Sequence, residues 1–293
     1  MIEEVKNKAK ELLRTKQVDL IIGYKRASDG VFAIPCFIYK EKEADVLIWD
    51  AYCVYNLANY LKDFPGNKVG IIAKDCDIKS IIVLLQENQL KREDVFIIGI
   101  ECMGVVNEKK LDRRNTDAEE IGYHEKCRAC KPAIPVFCDV VIAGEKKEPA
   151  HHAQEDAYVS VRTFEAKSLK ERFKFWEEEF KRCIRCYACR QVCPMCYCPR
   201  CVADQSMPAW FSRATDYKGN LSWNLTRAIH LAGRCIDCGE CERVCPVGIP
   251  LRDINKKLEK DVQEMFKYTA GTSIEQKPLL AGFDKNDPDE FIK

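Results

Sequence analysis

The chain repeats one cysteine spacing twice: Cys183-x-x-Cys186-x-x-Cys189-x-x-x-Cys193-Pro194 and Cys235-x-x-Cys238-x-x-Cys241-x-x-x-Cys245-Pro246. Three thiolates at steps of three residues, held in a tight loop, can point at three corners of one cubane. The fourth cysteine lies too far along the chain to join them, so it ligates the other cubane. The spacing therefore predicts one 4Fe–4S cluster on Cys183, Cys186, Cys189 and Cys245, and a second on Cys235, Cys238, Cys241 and Cys193. Each proline turns the chain away after its crossing ligand. A pair of zinc sites is the competing reading, since C-x-x-C pairs also bind zinc. Zinc ribbons, however, need neither a third cysteine at the same step nor a fourth followed by proline.

The chain carries 18 cysteines in 293 residues, eleven of them between Cys183 and Cys245. A secreted disulfide scaffold would be short and would scatter its cysteines through loops. This chain is long and shows no apolar signal core, so a reducing, cytoplasmic setting with metal-bound thiolates is expected. Basic and acidic residues number 47 and 46, a balance that argues against a nucleic-acid binder. The apolar stretches fall short of the roughly 18 residues a membrane span requires, so no membrane insertion is expected.

Three further cysteines, Cys196, Cys198 and Cys201, follow the first motif directly. They can supply a ligand swap for Cys245, form part of another site, or shield a cluster without binding metal. The long step from Cys193 to Cys235 leaves room for an inserted segment around Trp210, Phe211 and Trp223.

The pattern ahead of the motifs reads as an α/β domain over residues 1–145. Met1 to Gln17 is an amphipathic helix with Ile2, Val5, Ala9, Leu12 and Leu13 on one side. Val18–Tyr24 and Val31–Ile38 flank a turn at Ser28-Asp29-Gly30 and suggest a hairpin. Val46–Trp49 is a further short apolar run. Val69–Ala73 and Val95–Ile100 are buried strands joined by a helix to about Asn88 that Asp77 can cap, which makes a right-handed βαβ unit with parallel strands. Val136–Ala143 closes the domain as a strand. Residues 146–182 read as a polar linker followed by a helix from Ser168 to Arg182, with Leu169, Phe173, Trp176 and Phe180 on one face. Residues 183–269 form the helix-rich, bacterial-type dicluster ferredoxin domain, in which Ser222 can cap a helix to Leu231. Leu251 to Tyr268 is helical, packing through Leu251, Ile254, Leu258, Val262 and Phe266. Residues 270–293 read as an extended tail.

Cys76 and Cys102 follow the two buried strands. In an open parallel sheet, the carboxyl ends of neighbouring strands share one crevice, so these cysteines are expected at the same edge. Cys76 also sits at a helix start, where the dipole favours a thiolate. Cys127-x-x-Cys130 can complete a set of four; the plain alternative is that Cys76 and Cys102 are small buried apolar residues. Cys36, Cys53 and Cys138 read as core, and His124, His151 and His152 as surface residues.

The series Lys74-Asp75-Cys76-Asp77-Ile78, Ile98-Gly99-Ile100-Glu101-Cys102, Cys127-Arg-Ala-Cys130 and Cys138-Asp139-Val-Val-Ile-Ala-Gly144 resembles the beta subunits of deazaflavin-dependent hydrogenases and formate dehydrogenases. The run Cys183-Ile-Arg-Cys186-Tyr-Ala-Cys189 leading into Cys-Pro-Met-Cys-Tyr-Cys resembles the second half of the formate dehydrogenase members. The resemblance implies a third cluster on Cys76, Cys102, Cys127 and Cys130, and other redox subunits in a hetero-oligomeric complex. It also implies FAD near that third cluster. The chain departs from the family there, with Ala73-Lys74-Asp75-Cys76 in place of Gly-Thr-Pro-Cys, and shows no phosphate-cradling glycine loop.

The expected function is an iron–sulfur electron-transfer subunit of a multi-subunit oxidoreductase. It relays electrons between an acceptor and a catalytic partner such as a formate dehydrogenase, hydrogenase, aldehyde oxidoreductase or heterodisulfide-reductase-like protein. No residue set suggests a general acid, base or nucleophile, which places bond chemistry on the partner. The alternatives are an FAD-containing beta subunit that itself reduces or oxidises a soluble deazaflavin, and a zinc-stabilised interaction module.

Overall fold

The computed structural model describes residues 1–110, 117–130, 136–144, 156–212, 214–282 and 285–288. The chain divides into two compact units, Met1–Asp156 and Ala157–Lys293.

In the first unit, helix α1 (Ile2–Arg14) precedes strands β1 (Leu20–Arg26) and β2 (Ala33–Ile38). Strand β3 (Val69–Ala73), helix α2 (Asp75–Gln86) and strand β4 (Val95–Ile100) follow. The single-turn helices α3 (Ala118–Ile121) and α4 (Glu125–Arg128) lead to strand β5 (Val140–Ile142). The sheet runs β2-β1-β3-β4-β5. β1 and β2 pair antiparallel as the expected hairpin. β1, β3, β4 and β5 are parallel neighbours.

The period-two alternation of side chains sorts this sheet into two apolar layers. Leu20, Ile22, Tyr24, Ile71, Ala73 and Ile97 face Ile78, Ile81 and Ile82 of α2. Ile21, Ile72, Ile98 and Ile100 face Val5, Ala9 and Leu12 of α1. At roughly 1.5–3 kcal/mol for each large apolar side chain buried, these two layers hold the strand ends in fixed register.

Two local expectations are corrected in this unit. Asp77 is not the residue that starts α2. The helix begins at Asp75, and Asp77 stands in its first turn, where its carboxylate reaches back to accept from the Lys74 amide at 2.8 Å. The last strand is confined to Val140–Ile142. There the Asp139 carboxylate takes the Ile97 amide at 2.7 Å, so the ladder begins one residue later.

The second unit is helical: α5 (Val159–Glu165), α6 (Leu169–Lys181), α7 (Ala188–Gln191), α8 (Tyr217–His230), α9 (Glu240–Arg243) and α10 (Leu251–Phe266). Part of the stretch expected as linker is thus helix α5. Ser168 caps α6 by a reciprocal pair with Glu171. On α6 only Phe180 is buried, and Leu169 and Phe173 are exposed, so the expected apolar face is only partly covered. Helix α8 starts five residues before the expected Ser222 cap. The Asp216 side chain accepts from the Gly219 amide at 2.7 Å and nucleates it, which leaves Ser222 exposed inside the helix. Helix α10 buries Arg252, Asn255, Lys256 and Lys260 alongside Leu251 and Val262, a polar seam in place of the expected uniform apolar stripe. No helix among the described residues is long and apolar enough to cross a membrane.

Candidate iron–sulfur centres

The two cysteine motifs adopt one backbone plan twice. In the first, Arg185 and Tyr187 take left-handed φ of 54° and 59°; in the second, Asp237 and Gly239 take 57° and 72°. Each loop then closes on a single helical turn, α7 after Tyr187 and α9 after Gly239. Three of these four residues carry a Cβ, and each left-handed residue of that kind costs about 1–2 kcal/mol. Such strain persists where the surrounding structure needs it and gathers at functional sites. The alternating conformation curls each loop so that its cysteines share one side, as metal-cluster loops require.

Cys183, Cys186, Cys189 and Cys245 line one small cavity together with Arg185, Tyr187, Trp223 and Ile249. Burial pushes the Cys189 thiol up, Arg227 opposes that, and Cys183, Cys186 and Cys245 are the thiols that bear on it. The crossing cysteine of the second motif therefore meets the first three, the arrangement the spacing implies. Buried Phe180, Ile249 and Leu251 form the apolar shell around Cys183, Cys189 and Cys245. The Ile249 amide donates to Cys245 Sγ at 3.3 Å.

In the second set, Cys241 is pushed up to about 12 by burial; Arg227 opposes the shift, and Cys193 is among the neighbouring thiols that reinforce it. Cys235 is likewise raised by burial and has Cys241 among its neighbours. Cys238 is buried on the same loop. Asn255 of α10 donates to Cys241 Sγ at 3.7 Å. Cys193 is the exception in its charge: a hydrogen bond from Cys196, then Arg227, brings it down to about 6 against the cost of burial. Among the three extra cysteines, Cys196 thus stands beside Cys193, Cys201 is hydrogen-bonded by Arg190, and Cys198 is exposed. Buried neutral thiols fit metal ligation, because a bound metal displaces the proton and removes the burial penalty with it.

The α/β unit assembles a third group. Parallel pairing sets Ala73 beside Gly99, so Cys76, in the first turn of α2, and Cys102, just past β4, lie at one edge. Cys102 has Cys127 and Cys130 among its electrostatic neighbours, and Cys76 has Cys102. The helix start was expected to favour a Cys76 thiolate; burial outweighs it, and the thiol is pushed far up. Cys102 rises to about 11 by burial, opposed by Lys74 and by the Gly104 amide. The Val105 amide donates to Cys127 Sγ at 3.4 Å. Gly104 has φ +105°, and a Cβ there would meet the Tyr123 ring at 2.8 Å, so this turn requires glycine. Asn56 donates to the Cys76 carbonyl at 3.2 Å and fixes the start of α2.

Beside these thiols lies a buried cation whose role the sequence does not announce. Lys74 is 2% exposed and pairs with Asp77 at 3.1 Å. Its ammonium also donates to the Tyr24 hydroxyl and the Tyr55 carbonyl, and stands 5.0 Å and 5.9 Å from the Tyr24 and Trp49 ring centres. Cys36 and Cys53 are buried in the core, as expected, and Cys138 packs against it. His124 corrects an expectation: it is buried and caps α4, accepting from the Lys126 amide at 3.3 Å. His151 and His152 lie outside the described residues.

Four cysteine sulfurs are the donor set that a 4Fe–4S cubane takes. Among the described residues, no three His, Cys, Asp or Glu side chains close on a single-ion position. A cubane takes one sulfur at each corner iron and so needs a wider cradle than the four short bonds of a zinc site.

Comparison with known proteins agrees. Residues 182–250 match the family model of the 4Fe-4S dicluster domain. The chain is 24% identical to the F420-dependent formate dehydrogenase subunit beta of Methanocaldococcus jannaschii, with 92% of each chain covered. It is also 24% identical to the F420-dependent formate dehydrogenase 1 subunit beta of Methanococcus maripaludis, over 93% of this chain and 91% of that one. The first alignment spans 358 positions, more than the 293 residues present, so the relative carries segments that this chain lacks. The chain is thus similar, along nine-tenths of its length, to beta subunits of F420-dependent formate dehydrogenases, and its second unit holds a 4Fe-4S dicluster domain.

Proposed function

We propose that this protein is an iron–sulfur electron-transfer subunit of a formate-dehydrogenase-type complex in the cytoplasm. It carries one-electron traffic between a catalytic partner and an acceptor. Two 4Fe–4S clusters sit within residues 183–269, on Cys183, Cys186, Cys189 and Cys245 and on Cys235, Cys238, Cys241 and Cys193. A third sits in the domain of residues 1–145, on Cys76, Cys102, Cys127 and Cys130. Bound, such clusters supply reversible one-electron chemistry at potentials set by burial and by hydrogen bonds to sulfur. The observation that carries the reading is the meeting of Cys245 with Cys183, Cys186 and Cys189 around one cavity, on a loop geometry repeated at the second motif.

The similarity to F420-dependent subunits favours a second reading, in which this subunit itself reduces or oxidises a soluble deazaflavin or similar coenzyme and carries FAD to do so. The sheet edge by Cys76 bears on it. There Lys74 turns inward onto Tyr24, Trp49 and Asp77, with Cys76 and Cys102 among its electrostatic neighbours.

Anaerobic purification with iron, sulfide, zinc and flavin measured together separates these readings. About 12 irons per chain with no flavin supports the relay; about 8 removes the site at the strand ends. Stoichiometric flavin supports the second reading. Zinc in place of iron ends both.

A further inference from the structure

We propose that Arg227 is the common counter-charge of the two clusters in the second unit and tunes both potentials. The inference rests on the reading that eight cysteines hold those clusters. Arg227 lies on the inward face of α8 with Asn220, Trp223 and Asn224, and is 5% exposed. One guanidinium nitrogen donates to the Cys189 carbonyl at 3.0 Å. Its Nε is buried and has no hydrogen-bond partner. Its electrostatic neighbours are Cys241 and Cys193 of the second set, Cys189 of the first, and Cys196.

Three other buried cations of this unit have a carboxylate: Arg252 and Lys256 share Asp237, and Lys260 pairs with Glu165. Buried Arg185 instead donates to the Tyr187 hydroxyl and the Ser212 carbonyl. Arg227 pairs with no carboxylate among the described residues. An arginine in a protein cannot shed its proton, and a buried charge with no opposing charge beside it is strongly disfavoured. The negative charge that offsets it is that of the thiolates around it. Four thiolates leave each cubane anionic, and reduction adds one more negative charge. A fixed cation reached by cysteines of both sets stabilises the reduced form of each, and holds both potentials above where eight thiolates alone would leave them. Arg227 acts through the clusters and moves no proton, so it is a positioning residue.

The test is an EPR-monitored redox titration of the full chain and of Arg227→Gln and Arg227→Lys, with iron and sulfide counted on each. The wild-type count tests the underlying reading by itself. Given loaded clusters, R227Q is expected to keep its iron and move both second-unit midpoints to lower potential, with R227K between it and wild type. The α/β-unit signal should stay unmoved. If R227Q keeps its iron with unchanged midpoints, the inference fails. If R227Q loses iron, R227K decides: iron retained with near-wild-type midpoints upholds the charge role, and iron lost as in R227Q shows a structural role and overturns it.

Discussion

The side-chain amide of Asn220 donates to the carbonyl of Cys183 at 2.8 Å, and the same nitrogen reaches the Phe180 carbonyl at 3.0 Å. Asn220 is fully buried on α8, and the carbonyls it holds are where α6 hands the chain to the first cysteine loop. Removing it strands two buried acceptors at a cost of about 1–3 kcal/mol. Asn220→Ala should therefore release first-set iron faster than second-set iron under a chelator. Asn220→Asp should be worse, because it replaces the donor with an acceptor facing carbonyls. Chelator-chase spectroscopy checks this; equal loss from both sets would refute it.

The crossed ligation has a test that uses two serines. In Cys186→Ser/Cys245→Ser, both lost ligands belong to one set if the loops cross. About 4 irons should then disappear from the second unit. If each motif held its own cluster, the same variant would damage both, and about 8 would be at risk. Iron analysis with low-temperature EPR of the remaining signal distinguishes the two results.

Lys74 and Asp77 form a buried pair, at 2% and 0% side-chain exposure. Breaking such a pair from one side costs on the order of 3–5 kcal/mol. Lys74→Met and Asp77→Asn should each destabilise the α/β unit by that order. The double variant should lose less than the sum of the two. Trp49, with its ring centre 5.9 Å from the Lys74 ammonium, is a fluorescent reporter for denaturant titration. A strictly additive double variant would contradict the pairing.

Burial alone would push Asp237 up, but Arg252 and Lys256 overcome that and hold its carboxyl below the ordinary 3.8. Its folded pKa is depressed, so the pairing stabilises fully above the unfolded value of about 3.9 and is lost as pH falls through the folded one. The difference in unfolding midpoint between wild type and Asp237→Asn should be flat from neutral pH down to about 4 and narrow below it. A difference that titrates near neutrality would count against this account.

What the sequence made legible follows from where the constraint was local. V-G-I-I-A and V-F-I-I-G-I are buried strands by pattern alone, and their parallel register places Cys76 and Cys102 at one edge without further information. The cysteine spacing gave both motif loops for the same reason. The start of α8 was not legible: Asp216 and Ser222 are both good caps, and only the packing of Asn220 and Trp223 selects the earlier one. The polar seam of α10 was hidden because Arg252 and Lys256 are buried by Asp237, which lies outside the helix and cannot be seen in its periodicity. Arg227 reads in sequence as one more basic residue near a helix end. Its place among the thiols is a tertiary fact, as is the burial of His124.

The proposed ligation of the first cluster by Cys245, which stands near Cys189, also sets an order of manufacture. On the ribosome, the first three ligands of one cage emerge long before its fourth, and the cage that must open with Cys193 waits for all of the second loop. Neither can be closed until nearly the whole ferredoxin segment has been synthesised. On that ligation a nascent chain stopped short of residue 241 would carry no complete cage in this unit, and one stopped between 241 and 245 would carry only the cage that Cys193 opens.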